Sequence, residues 1–183
     1  MYGKGEAYKP YDGTSQTWKS MFTTGGGRGY SPDDWAQIAK FLKFIPDAKA
    51  QAGKSKDRST QVGAVVLDDD YNLRVSGYNG FPRGVDDDLA YRHERPAKYK
   101  WTAHAEENCV AQAARMGHSL NGCTILVTAL FPCTTCSRLI IQSGIKRVLA
   151  TVTDNARWVD DSEIALQMLR EGGVEVIYYE ERA

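Results

Sequence analysis

Three shortages define this chain before any motif does. The first is hydrophobic length: no apolar run approaches the ~18–20 residues that cross a membrane as a helix, so no membrane partner is expected. The second is charge excess. Lys and Arg total 23 and Asp and Glu total 23, which leaves a formal net charge of zero. Proteins that hold nucleic acid through its phosphate backbone are usually basic, so nucleic acid is not an expected partner. A small phosphorylated ligand needs only a few local cations and stays open. The third is cysteine. There are four, Cys109, Cys123, Cys133 and Cys136, and only the last two form a C-x-x-C pair. In an intracellular chain that pattern suggests metal or redox chemistry more than a disulfide framework. The segment Met1–Gly13 also lacks an apolar stretch of the kind a secretory signal needs, so a cytoplasmic location is expected.

What is present is globular. A chain of 183 residues, 42% hydrophobic and 25% charged, can bury one full core without staples. Residues 1–30 stand apart: they are rich in Gly and Tyr, include the run Gly25-Gly26-Gly27, and have little hydrophobic periodicity. They read as an extension that either lies across the domain or a neighbouring subunit, or stays a mobile tail. The domain proper is expected over 31–183, with no internal repeat and no interdomain linker.

Ser31-Pro32-Asp33-Asp34 is a helix start, with an N-cap, Pro at the first position and acids in the first turn. Trp35, Ile38, Ala39, Leu42 and Ile45 then recur at helical spacing until Pro46 limits or kinks the helix, and Gly53 ends the stretch beyond it. The short apolar run 62–67 reads as a buried strand, and 73–78 as its hairpin partner. A loop is expected over 79–88. Helices are expected over 104–116, 133–143 and 162–171, and strands over 123–129, 146–152 and 174–179. Two strands first, then strands alternating with helices, argue an α/β sandwich on a mixed sheet with an antiparallel opening and a parallel remainder.

The chemistry lies in two helix starts separated by one strand: His104-Ala105-Glu106 and Pro132-Cys133-Thr134-Thr135-Cys136. Two thiols three residues apart at a helix N-terminus face one ion, and the free N–H groups there favour thiolates. A redox pair of the thioredoxin kind would need neither His104 nor Glu106. A Cys₄ site would need Cys109 and Cys123, which sit inside a helix and at the start of a strand. With His104 as third ligand, three protein groups leave a fourth tetrahedral position for water, as in catalytic zinc sites. Zinc lowers the pKa of that water to about 7. Glu106, two residues after His104, is placed to move protons without binding the metal. H-x-E…P-C-x-x-C is the pattern of the zinc nucleobase deaminases.

On these residues the sequence resembles the cytidine and deoxycytidylate deaminase family, and within it the deoxycytidylate (dCMP) deaminases. The resemblance runs from about Trp35 to Tyr178. It includes Ser55-Lys56-Asp57-Arg58-Ser59-Thr60-Gln61-Val62-Gly63-Ala64, Gly77-Tyr78-Asn79-Gly80-Phe81-Pro82-Arg83-Gly84, and the two zinc segments. It implies a cytidine-deaminase-like three-layer α/β/α sandwich with a five-stranded mixed sheet. It also implies one catalytic Zn²⁺ per chain held by His104, Cys133 and Cys136, and hydrolysis of dCMP to dUMP and ammonia with Glu106 as the proton shuttle. Alternative substrates are dCTP, cytidine or a nucleic-acid base, and the rival from another class is a non-catalytic zinc-binding module.

The same resemblance assigns the phosphate to Ser55, Lys56 and Arg58, which would otherwise read as a solvated turn. It gives Asn79 the sugar hydroxyl, where a turn-forming Asn is the bland alternative, and the Ala105 N–H the base carbonyl. Arg83 serves either the phosphate or an effector. Family members carry a tyrosine after the fourth strand. Residues 151–158 contain none, so either Trp158 replaces it as the lid or the lid differs. A homo-oligomer, often a hexamer, is implied, as is regulation by a nucleoside triphosphate accompanied by Mg²⁺.

Overall fold

The computed structural model describes residues 31–151 and 159–179. The 1–30 extension and Trp158 lie outside the described residues.

Helix α1 (Pro32–Leu42) begins as its sequence dictates. The Ser31 hydroxyl accepts from the Asp34 N–H, and the Asp34 carboxylate accepts from the Ser31 N–H at 2.8 Å. This capping box satisfies two of the groups a helix start leaves unpaired. The chain breaks at Lys43–Phe44 and resumes as α2 (Ile45–Ala52), with Pro46 in the first turn, where no N–H is required of it.

The sheet has five strands: β1 (Gly63–Leu67), β2 (Leu73–Tyr78), β3 (Thr124–Val127), β4 (Arg147–Thr151) and β5 (Glu175–Tyr179). Their order across it is β2-β1-β3-β4-β5. Strand β1 is antiparallel to both neighbours, with Val66 opposite Val75 and Val65 opposite Leu126. The β3–β4 and β4–β5 pairs are parallel. The mixed sheet is therefore as expected. β3 stops two residues before its expected end, because Thr128 turns its hydroxyl to the Gly63 backbone and Ala129 takes a positive φ of 65°.

Between the strands lie α3 (Lys98–Trp101), α4 (Ala105–Met116), α5 (Thr134–Gln142) and α6 (Val159–Glu171). α6 starts three residues earlier than its apolar pattern indicates, with Asp160 and Asp161 in the first turn, where acids suit the helix dipole. Alternation along β1 separates two cores. Ala64 and Val66 join Cys109, Ala113, Ile140, Ala165 and Leu169 on the face covered by α4, α5 and α6. Val65 and Leu67 join Ile38, Phe41, Ile45 and Ala48 on the face covered by α1 and α2. Helices on both faces of one sheet make the three-layer sandwich.

One glycine fixes where the site sits. A Cβ on Gly77 of β2 would come within 2.5 Å of the Ala105 carbonyl. Its absence lets the first turn of α4 lie directly on the sheet.

Candidate active site

His104 is the N-cap of α4 and Cys133 the N-cap of α5, so two helix starts point at one place. The His104 N–H donates to Glu107 Oε2 at 2.6 Å, which fixes the entry of the chain into α4. The H-x-x-E spacing has the form of a capping box with His in the place of Ser, a signal that sequence reasoning passed over. His104 Nδ1 stands 3.4 Å from Cys133 Sγ and 3.4 Å from Cys136 Sγ. The three ligand atoms lie within 4.8 Å of one another. Tetrahedral N and S ligands at zinc bond lengths would stand ~3.6 Å apart, so the donor set fits that ion. Cys109 and Cys123 are buried elsewhere in the core, and the Cys109 thiol faces the Ala64 carbonyl.

The electrostatics agree with a site that attracts positive charge. Hydrogen bonding from the Cys136 thiol, with His104 on the other side, brings Cys133 down to about 4. Cys136, as the donor, is pushed up. His104 rises to about 9 through its bond with Cys133. Metal binding needs a neutral imidazole nitrogen and ionised thiols, so a divalent cation held by these three groups would displace their protons.

Glu106 is 4% exposed, and burial pushes its carboxyl up to about 6. A carboxyl in that range both takes and gives a proton near neutral pH. Glu106, Ala105, His104 and Cys133 line one cleft with Asn79, Phe131 and Asp161. Asp161 of α6 grips α5 between the two cysteines: its Oδ2 accepts from the Thr134 N–H and its Oδ1 from the Thr134 hydroxyl, both at 2.9 Å. No pattern in the sequence marked Asp161.

The other expected residues fall in several places. Asn79 is buried in the cleft wall, where its Oδ1 accepts from the Val62 N–H and its Nδ2 donates to the Thr60 carbonyl. Ser55 is buried behind that wall and donates to the Asn79 carbonyl at 2.7 Å. Lys56 points away into an adjacent groove and pairs with Asp87 at 2.8 Å. Arg58 and Arg83 are exposed, and neither borders the cleft. Among the described residues, Ser55, Lys56, Arg58 and Arg83 are not part of the lining of the cleft beside Glu106.

The cleft's outer wall is instead built by Arg95, Lys98, Tyr99 and Thr102, around the short helix α3. Lys98 forms a buried ion pair with Asp57 at 2.7 Å. Burial alone would raise the Asp57 carboxyl, but hydrogen bonds from Lys98, Ser59 and Thr60 hold it down to about 2.

Comparison with known proteins bears on this geometry. Residues 37–152 match the model of the cytidine and deoxycytidylate deaminase zinc-binding region. The chain belongs to this family. It is 42% identical to an uncharacterized deaminase from the luxG 3′ region of Aliivibrio fischeri, over 77% of this chain and 95% of that one. It is 34% identical to the human deoxycytidylate deaminase, over 78% of this chain and 79% of the human one. Its fold is similar to that of a dCMP deaminase from the cyanophage S-TIM5, with a TM-score of 0.60 and 23% identity, covering 81% of this chain and 99% of that chain. Among the described residues, no helix is long and apolar enough to cross a membrane.

Proposed function

We propose that the chain catalyses the hydrolytic deamination of dCMP to dUMP and ammonia, a step in the supply of pyrimidine deoxynucleotides. The observation that carries this is Glu106: a buried carboxyl beside a three-donor His/Cys/Cys cluster, facing the same cleft. A structural zinc module has no use for a buried acid there. The similarity to proteins named deoxycytidylate deaminase supports the choice of substrate.

His104, Cys133 and Cys136 would hold the zinc, which when bound supplies a Lewis acid that makes water nucleophilic near neutral pH. Glu106 takes a proton from the attacking water, delivers it to N3 of the cytosine ring, and then serves the departing amine. The water oxygen becomes bonded to C4 and the C4–N bond breaks, releasing ammonia. The Ala105 N–H, at the start of α4, donates to the ring carbonyl and aligns the base. Asn79, locked by its bonds to residues 60 and 62, presents its amide to the sugar hydroxyl.

Two ligating thiols suit a reducing compartment, so we place the activity in the cytoplasm. The assignment also carries a homo-oligomer, a hexamer, and a nucleoside triphosphate effector with Mg²⁺. Light scattering with and without dCTP and Mg²⁺ tests both.

The substrate is tested by assaying the zinc-loaded protein on dCMP, dCTP, cytidine, deoxycytidine and a cytosine-containing oligonucleotide. The expected result is the highest kcat/KM on dCMP. Preference for any other member of the panel reassigns the substrate, and turnover of none leaves a binding module.

A further inference from the structure

The amide of Asn79 is held by the turn 55–62, and only half of it is used there. Its Oδ1 accepts from the Val62 N–H at 2.8 Å, and its Nδ2 donates to the Thr60 carbonyl at 2.9 Å. A carboxamide has two N–H groups and two oxygen lone pairs, so one of each remains. That remainder matches a hydroxyl, which both donates and accepts. The two bonds also decide which way round the amide stands. Exchanging its oxygen and nitrogen would set N–H against N–H and carbonyl against carbonyl.

Asp57 holds the turn that holds the amide. Its Oδ1 accepts from the Ser59 N–H and the Ser59 hydroxyl, both at 2.8 Å, and from the Thr60 N–H at 3.2 Å. Lys98 Nζ of α3 clasps the same carboxylate through both oxygens, at 3.0 and 2.7 Å, and donates to the Ser59 hydroxyl as well. A chain of direct bonds therefore runs from Lys98 through Asp57 and residue 60 to the Asn79 amide. Asp57, Thr60, Asn79 and Lys98 all border the cleft.

The side chains of Lys98 and Asp57 are only 12% and 10% exposed. A buried ion pair adds little net stability, because desolvation offsets the attraction. Its geometric effect is larger. The two-oxygen clasp ties the turn to α3, and a turn that shifts carries the Thr60 carbonyl away and frees the Asn79 amide to rotate.

We infer that Asp57, clasped by Lys98, is a positioning residue: it fixes the orientation of the Asn79 amide and so sets how strongly the cleft favours a substrate that carries the sugar hydroxyl. This rests on the dCMP assignment and on the placing of Asn79 above. Neither Asp57 nor Lys98 need touch the substrate.

The test measures kcat/KM for dCMP and for 2′,3′-dideoxycytidine 5′-monophosphate, which keeps the base and the phosphate and lacks the one free sugar hydroxyl. Zinc-loaded wild type is compared with Asn79→Ala, Asp57→Ala, Asp57→Asn and Arg147→Ala. Wild type should favour dCMP roughly 10- to 100-fold, as expected where a buried polar group loses its partner. Asp57→Ala should bring that ratio toward the value in Asn79→Ala, through a loss on dCMP alone. Asp57→Asn keeps an oxygen for the Ser59 and Thr60 N–H groups and should retain part of the ratio. Asp57→Ala strands a buried ammonium, so Asp57→Ala combined with Lys98→Met is the second variant, and it should show the same loss of ratio. Arg147→Ala breaks the ion pair with Glu175 at the start of β4, and it should lower the thermal midpoint without moving the ratio. A wild type that prefers dCMP, with the preference intact in Asp57→Ala or in the double variant, overturns the inference alone. An equal fall on both substrates does the same. A wild type that treats the two substrates equally, or an Asn79→Ala that keeps the wild-type ratio, overturns the placing of Asn79 and the inference with it.

Discussion

The two ends of the cleft are made in different ways. At the inner end, the chemistry-bearing groups sit on the first turns of α4 and α5, and each motif is nearly contiguous in sequence. Their directions are set by helix geometry, by Glu107 and Asp161 acting as caps, and by the close contact that Gly77 permits. At the outer end, the wall is assembled from irregular chain around α3. Lys98 meets Asp57 across 41 residues, and Arg95 meets Ser59 across 36. The contrast teaches that the cleft is held in two ways: one end by the starts of regular elements, the other by side-chain bonds between segments far apart in the chain.

The largest expected effect breaks the inner end without touching its shape. Glu106→Gln should keep the zinc and the fold while kcat falls on the order of 10²–10⁴-fold. Metal analysis and turnover on the same preparation check both, and substantial remaining activity would remove Glu106 from the mechanism.

Asp161 tests whether the inner end depends on its caps. Asp161→Ala should weaken zinc retention about 10- to 100-fold, read as transfer of zinc to a chromophoric chelator, while exposed Asp160→Ala changes nothing. Equal zinc release in the two variants would reduce Asp161 to a spectator.

Gly77→Ala probes the contact beneath α4. The added methyl meets the Ala105 carbonyl at 2.5 Å, a backbone atom that cannot step aside cheaply. Chemical denaturation should give a loss of about 1–3 kcal/mol, with lower kcat because His104 and Glu106 ride on the displaced turn. An unchanged midpoint would mean α4 is not seated as described.

The smallest effect concerns the outer end. Asp57 titrates at about 2 in the folded protein, below its ordinary 3.8. A depressed carboxylate stabilises the fold above its unfolded pKa, and that stability is lost as pH falls through the folded value. About 2 kcal/mol should therefore disappear between pH 5 and pH 2 in wild-type unfolding curves. Asp57→Asn should lack that slope, and an identical slope in the variant would assign it to other groups.

Legibility in the sequence divides along the same line. His104, Glu106, Cys133 and Cys136 were readable because chemistry and helix start coincide at fixed spacing. The five strands were readable because buried β1 and β3 are continuous apolar runs. The strand end at Val127 was not, since it depends on a Thr128 hydroxyl finding the Gly63 backbone 65 residues away. The wall around α3 was invisible for a similar reason. Its four-residue helix is too short to show a period, and the role of each cation depends on a partner distant in the chain. Lys56 and Arg58 were linked to the phosphate by the family resemblance alone, because local sequence shows charge but not the direction in which it points.

One measurement addresses hydrolytic deamination most directly. The zinc-loaded protein is given dCMP in H₂¹⁸O, and the product is examined by mass spectrometry alongside an ammonia assay. The expected product is dUMP carrying one ¹⁸O atom, with ammonia released in equal amount. Intact dCMP after prolonged incubation, or dUMP without the label, would contradict it.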